Sequence, residues 1–232
     1  VFPAYPHEVL AVVLTVREGR LQVLLWQRAQ APYAGRWALP GGGVREDQRL
    51  KEALAEHLAA KVHVDDLAWR EQVATHSKVD RDPRARVLAT GYLGLVPSDV
   101  DPTLPDDTAW HLVDALPPLA FDHGDFVSAA VDRLRAKLSY TNIAFALAPH
   151  DFTIATLRGV VTAALGYDVT ATNLTRVMTR RQMIEPTGRT RSHSSAGGRP
   201  ATEYRFCDRT LTVTDPFAVL RPPRGGHDEQ QR

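Results

Sequence analysis

The chain has 232 residues, 44% of them hydrophobic and 24% charged, the balance of a globular protein of one large or two small domains. No apolar run approaches a membrane span, no secretory pattern opens the sequence, and the single Cys207 rules out an internal disulfide and argues against a zinc cluster, so a cytoplasmic protein is expected. The formal net charge of +1 hides an asymmetry: residues 151–205 hold eight arginines against four acids, which leaves the rest of the chain at −3 and points to a polyanionic partner for a basic C-terminal module.

Residues 9–16 and 21–26 are apolar and β-forming, and Arg17-Glu18-Gly19-Arg20 between them reads as a turn, so a hairpin is predicted. A loop at 31–36 leads to a short strand at 37–39 and a glycine turn. A helix over 47–60 follows, with Leu50, Leu54 and Leu58 as its core stripe. Strands are predicted at 67–76 and 86–96, either side of a polar turn at 79–84, and at 109–113. Leu116-Pro117-Pro118 punctuates the chain before a helix at 124–138 whose Phe126, Ala130, Leu134 and Leu138 recur every four residues. This irregular alternation predicts an α+β sandwich rather than repeated βαβ units. Beyond it come a helix at 154–165 ending at Gly166, a turn, and a helix at 173–182 capped by Thr170 or Thr172 and stopped by Glu185-Pro186. Residues 187–202 are rich in Arg, Ser and Gly, and 204–206 reads as a strand. The expected division is a first domain at 1–145, a second at 146–220 and a disordered tail at 221–232.

Leu39-Pro40-Gly41-Gly42-Gly43-Val44 carries the first functional signal. Preceded by Trp26-Gln27-Arg28 and Trp37-Ala38, it resembles the opening of the Nudix box, G-x5-E-x7-R-E-U-x-E-E-x-G-U, where U is aliphatic. Read without gaps from Gly42, the first Glu of the pattern falls on Gln48, R-E-U-x-E-E on Glu56-His57-Leu58-Ala59-Ala60-Lys61, and the late Gly on His63. The acids of the pattern at 57, 60 and 61 share one helix face and hold divalent cations over a pyrophosphate. Here that face reads His57, Ala60, Lys61: one residue without a ligand and one positive charge where the metal should sit. The resemblance therefore implies a nucleotide-hydrolase scaffold without catalytic residues or a metal site. A pyrophosphohydrolase with its metal shifted onto Glu46, Asp47, Glu52 or Glu56 is the competing reading.

A pyrophosphate would lie by the backbone N–H groups of Gly41, Gly42 and Gly43 and the start of the box helix, whose dipole favours anions. Arg28 and Arg45 are candidate phosphate partners or solvated strand-end charges, and Trp37 is a candidate stacking wall or a core residue. Asp122 and His123 are candidates to cap the interdomain helix, Asp122 as its N-cap.

Helix, turn, helix and basic hairpin is the order of a winged helix-turn-helix, whose second helix enters the major groove. Asn173, Arg176 and Arg180 form one polar face, opposite Leu174, Val177 and Met178. Thr172, Asn173 and Arg176 suit base reading, since Asn pairs with adenine and Arg with guanine in bidentate geometry. Arg180 and Arg181 are placed for phosphates near the helix end. In the wing, Arg189, Arg191, Ser192, His193 and Arg199 suit phosphate contacts or a narrow minor groove. A solvated basic face, and a nucleotide sensor acting on a protein, are the readings that compete.

Over residues 6–206 the chain resembles one family, the Nudix-related transcriptional regulators of NAD metabolism, or NrtR family. The segments that carry the resemblance are 37–45, Leu119-Ala120-Phe121-Asp122-His123, Ile184-Glu185-Pro186-Thr187-Gly188, and Gly197-Gly198-Arg199-Pro200-Ala201 with Tyr204-Arg205-Phe206. The resemblance implies a Nudix-like α/β/α sandwich followed by a winged helix-turn-helix domain, in a homodimeric repressor. Its non-catalytic Nudix domain would bind an NAD-derived nucleotide such as ADP-ribose, as effector and not as cofactor. Its winged-helix pair would bind a palindromic double-stranded DNA operator near genes of NAD synthesis or salvage. The Gly-Gly-Phe usual in the family is Gly42-Gly43-Val44 here, a departure at the pocket edge.

Overall fold

A computed structural model describes residues 4–64, 66–191 and 200–215. β1 (His7–Arg17) and β2 (Arg20–Gln27) form the predicted hairpin, with Glu18 and Gly19 both at positive φ in its turn. β3 (Trp37–Ala38) pairs with β2, and β4 (Gly41–Gly43) pairs antiparallel with β1, Gly42 opposite Val9. The glycine run is thus a sheet strand and not a free turn. α1 (Leu50–Val62) starts three residues later than the pattern predicts, because Glu52 reaches back to accept the Arg49 N–H at 3.1 Å and fixes the helix start there. It ends at His63, in the left-handed conformation at φ 54 where the Nudix pattern has glycine.

β5 (Trp69–His76), β6 (Leu88–Leu95) and β7 (Thr108–Leu112) complete a mixed sheet of order β3-β2-β1-β6-β5, with β4 on β1 and β7 on β2. β1 is parallel to β6 and antiparallel to β2 and β4. The unbroken apolar run of β1 has a reason: both of its faces are covered. Val9, Ala11 and Val13 meet Leu54, Leu58 and Val62 of α1. Leu10, Val12, Leu14 and Val16 meet Phe126, Ala130 and Leu134 of α2 (His123–Tyr140) on the other side. The result is an α/β/α sandwich.

A buried 3-10 turn, Ile143–Ala146, leads into β8 (Asp151–Thr153), α3 (Ile154–Leu165), α4 (Ala171–Arg180), β9 (Ile184–Arg191) and β10 (Ala201–Phe206). The sheet order β8-β10-β9 with two preceding helices is a winged helix. Thr170, not Thr172, caps α4, accepting the Asn173 N–H, so this helix spans 171–180 rather than 173–182. Glu185-Pro186 lies inside β9, and 187–191 pairs with β10 as the first strand of the expected basic hairpin. Residues 192–199 and the expected tail at 221–232 lie outside the described residues.

The two halves share one apolar core: Leu157, Val160, Leu174 and Met178 of the winged helix join the α2 face of the sandwich through Ile143, Phe145 and Leu147. Residues past β10 fold back over this junction. Asn142 donates to the carbonyls of Asp208 and Thr210 at 3.1 and 2.9 Å and accepts the Thr212 N–H at 2.7 Å. Among the described residues no helix is long and apolar enough to cross a membrane.

Candidate functional site

A cavity of 420 Å³ opens where β1, β4, the end of α1 and the start of α2 converge with the loops carrying Arg28, Arg84 and Phe121. Its floor is β4. The carbonyl of Gly41 accepts from Lys61 Nζ at 2.5 Å and that of Gly43 meets His57 Nε2 at 2.9 Å. The box face of α1 therefore grips the glycine strand directly. Lys61 also lies 4.6 Å over the Trp26 ring, whose N–H is held by the Leu39 carbonyl at 3.1 Å. Burial, reinforced by the Arg28 charge, lowers the Lys61 pKa below its usual value, with Glu8 opposing.

A divalent ion does not fit this face. Its donor set is an imidazole, a methyl group and an ammonium already seated on the Gly41 carbonyl. Three of the four carboxylates weighed for a shifted site are engaged elsewhere: Glu52 caps α1, Glu56 takes Arg45 at 2.8 and 3.0 Å and Gln48 at 2.7 Å, and Asp47 lies 3.7 Å from Arg45. Among the described residues no three of His, Cys, Asp and Glu cluster as a metal site.

The opposite wall is aromatic and cationic. Phe121, at φ 52, is overlain by the Arg28 guanidinium at 4.8 Å and the Arg84 guanidinium at 5.7 Å, and Tyr33 meets it edge-on at 4.9 Å. Burial lowers the Arg28 pKa, and Arg84 lowers it further. Arg84 is fixed by the buried Asp82 carboxylate at 2.6 Å, and hydrogen bonds from Arg84 hold the Asp82 pKa below the usual carboxylate range. Glu8 is the one acid in the lining, and Arg81, buried behind it, neutralises it at 2.7 Å. The other end of Arg81 binds Asp122 at 2.7 and 3.1 Å, and His76 completes that carboxylate at 2.9 Å. Burial works against the ionised Asp122, but the bonds from Arg81 and His76 prevail and hold its pKa low. Asp122 therefore stands at the N-cap position of α2, as expected, but makes no side-chain cap bond there, because its carboxylate is turned to Arg81.

The predicted pocket residues divide. Arg28 and Gly41, Gly42 and Gly43 line the cavity. Arg45 does not: it is exposed and held outside by Glu56. Trp37 is a packing residue, edge-on to His111 at 4.3 Å against the core, because β3 is paired on the far side of β2. Gly41 and Gly42 are required for packing, since a Cβ would run into the Val9 carbonyl at the first and come within 2.6 Å of the His57 ring at the second, whereas one on Gly43 meets open space. Phe121 and Arg84 were not expected in the cavity, and His123 was expected only as a cap of α2, because only tertiary structure brings these residues to β4.

On the winged helix, Thr172, Asn173, Arg176 and Arg180 are exposed along α4, with Arg176 donating to the side-chain Oδ1 of Asn173 at 2.8 Å. Arg181 is a correction. It turns away from that face, donating to the Ser139 carbonyl at 2.9 Å and to Asp215 at 2.8 Å, and ties α4 to the end of α2. Arg189 pairs with Asp151 and Glu203, and Arg191 with Glu203 at 2.7 Å; both stay more than half exposed. Ser192, His193 and Arg199 lie outside the described residues.

A nucleotide-sized cationic cavity without a metal face, fused to a winged helix, defines a transcriptional regulator built on a Nudix domain. Residues 6–130 match the NUDIX domain family, and residues 144–206 match the NrtR DNA-binding winged helix domain. The chain is 33% identical over 238 residues to the ADPR responsive transcriptional repressor NtrR of Acinetobacter baylyi, covering 97% of this chain and 92% of that one. It belongs to the NrtR family. Shewanella oneidensis NrtR complexed with a 27mer DNA matches with a TM-score of 0.74 at 29% identity, over 86% of this chain and 92% of that one. The NUDIX domain of the same protein complexed with ADP ribose matches with a TM-score of 0.52 at 32% identity, over 57% and 90%.

Proposed function

We propose that the protein is an effector-responsive repressor of NAD synthesis or salvage genes. The cavity takes ADP-ribose or a related NAD-derived nucleotide as effector, and two winged helices of a homodimer bind a palindromic operator. The observation that carries this reading is Lys61. Its ammonium occupies the box face, joins Arg28 and Arg84 in the cavity lining, and leaves the site suited to a pyrophosphate anion and unsuited to a metal. Phe121 under two guanidiniums offers a platform for a base. The relatives support the choice of ligand, one being ADPR responsive and another crystallised with ADP ribose. The engaged state of Glu52 and Glu56 argues against the hydrolase alternative.

The test is a gel-shift titration on the chain's own promoter region, with and without ADP-ribose and NAD, beside an assay of AMP release with magnesium or manganese. Operator binding that shifts with ADP-ribose, without turnover, is the expected result. Turnover on the order of 1 per second or faster would return the protein to the enzymes.

A further inference from the structure

The proton on His123 is placed by the backbone. The Leu39 N–H points at Nδ1 from 3.0 Å, so Nδ1 carries the lone pair and the ring hydrogen sits on Nε2. That second nitrogen is buried and has no hydrogen-bond partner, in a residue only 3% exposed that lines the cavity. A buried donor left unpaired is unfavourable, and its natural complement is an acceptor brought by whatever fills the cavity. The three cations of the lining are set for phosphate charge, whereas this ring is neutral, since burial drops its pKa to about 3.

His123 is also the first residue of α2, and the last turn of that helix is where the winged helix is fastened. The Ser139 carbonyl takes Arg181 from the end of α4 at 2.9 Å, and the Tyr140 carbonyl takes the Thr214 N–H at 2.8 Å. Eighteen helical residues, about 27 Å, separate the two ends. We propose that His123 Nε2–H donates to an uncharged acceptor of the bound nucleotide, and that through this bond the effector biases the position of α2 and with it α4. The inference rests on the reading of the cavity as the effector site.

Two substitutions separate the nitrogens. In His123→Asn the side-chain oxygen takes the place of Nδ1 and still accepts the Leu39 N–H, but nothing donates from the Nε2 position. In His123→Gln the amide nitrogen reaches the Nε2 position, and the Leu39 N–H loses its acceptor. ADP-ribose affinity is measured by calorimetry, and the response is the ratio of operator affinity with and without saturating ADP-ribose. His123→Asn is expected to bind ADP-ribose roughly tenfold more weakly with a response ratio closer to one, and His123→Gln to stay within a few-fold of the unmodified protein in both despite a lower melting temperature. The reverse order, with the Gln variant the poorer binder, assigns His123 to packing alone and overturns the proposal. So does an Asn variant that binds and responds normally. An unmodified protein that binds no ADP-ribose overturns the reading of the cavity itself, a result distinguishable because it appears before any substitution.

Discussion

Two residues set the character of the cavity, and each makes a measurable demand. In the proposed effector site Lys61 takes the place of the positive charge that a magnesium ion would supply from solution. ADP-ribose affinity is therefore expected to be unchanged between EDTA and excess magnesium, and Lys61→Met is expected to weaken it by about 1.5–3 kcal/mol, the range for a hydrogen bond to a charged group. Calorimetry in both buffers checks this, and a binding curve that needs magnesium contradicts it. His123 links stability to pH. Burial lowers its pKa from 6.5 to about 3, so between those values the unfolded chain holds a proton that the folded protein refuses. Stability is then full above pH 6.5 and declines as pH falls, by about 2 kcal/mol at pH 5 relative to pH 7. Urea melts at the two pH values should show this loss in the unmodified protein and lack it in His123→Asn. The missing acids at 57, 60 and 61 were legible from spacing alone, because a box pattern fixes position along one helix. The roles of Phe121, Arg84 and His123 were not, because no local pattern tells which loop closes over β4.

At the scale of elements, α4 shows how far periodicity reaches. Its buried stripe, Leu174 and Met178, and its polar face were legible, but Arg181, expected beside Arg180 as a phosphate contact at the helix end, bends back to α2. The helix that Arg181 appeared to extend has already closed, with Gln182 at φ 52. The basic hairpin of the wing was legible from its place after α4, but the start of its first strand at Ile184 was not: Pro186 and the Arg-Gly composition disfavour a strand, and pairing with β10 overrides them. A division of labour follows. Arg176→Ala should cost roughly 1–3 kcal/mol on the specific operator only, and Arg191→Ala should weaken all sequences alike. Arg181→Ala should lower the melting temperature while keeping sequence preference. Competition gel shifts against random DNA, with thermal melts in parallel, separate the three, and equal losses on specific and random DNA for Arg176→Ala would mean that α4 does not read bases.

At the scale of the whole molecule, the two expected domains were legible from the charge shift and the element order, but their fusion was not. The boundary expected near 145 falls inside the buried turn Ile143–Ala146, where Phe145 is 1% exposed and joins both halves. Phe145→Ala is expected to cost about 3–5 kcal/mol and to lower the unfolding of sandwich and winged helix together. Denaturation followed at the tryptophans of residues 26–110 and by exchange of α3 and α4 amides reports on each half, and separate transitions would show that the junction does not couple them. Such coupling is what a two-state regulator requires: a 100-fold preference of effector for one arrangement corresponds to about 2.7 kcal/mol shared between the halves.

The parallel pairing of β1 with β6 also sets a timetable for synthesis. Leu10 of the opening strand finds its neighbour at Gly91, and the helix covering its second face begins only at His123. At elongation rates of about 5–20 residues per second the roughly 80 residues between the paired strands take about 4–16 s to make. Through that interval β1 keeps one edge and the face later covered by α2 open, while α1, made in between, supplies the cover of the other face, and the wait is longer than a hairpin takes to form by several orders of magnitude. The order of synthesis thus leaves the central strand dependent on segments that are made long after it.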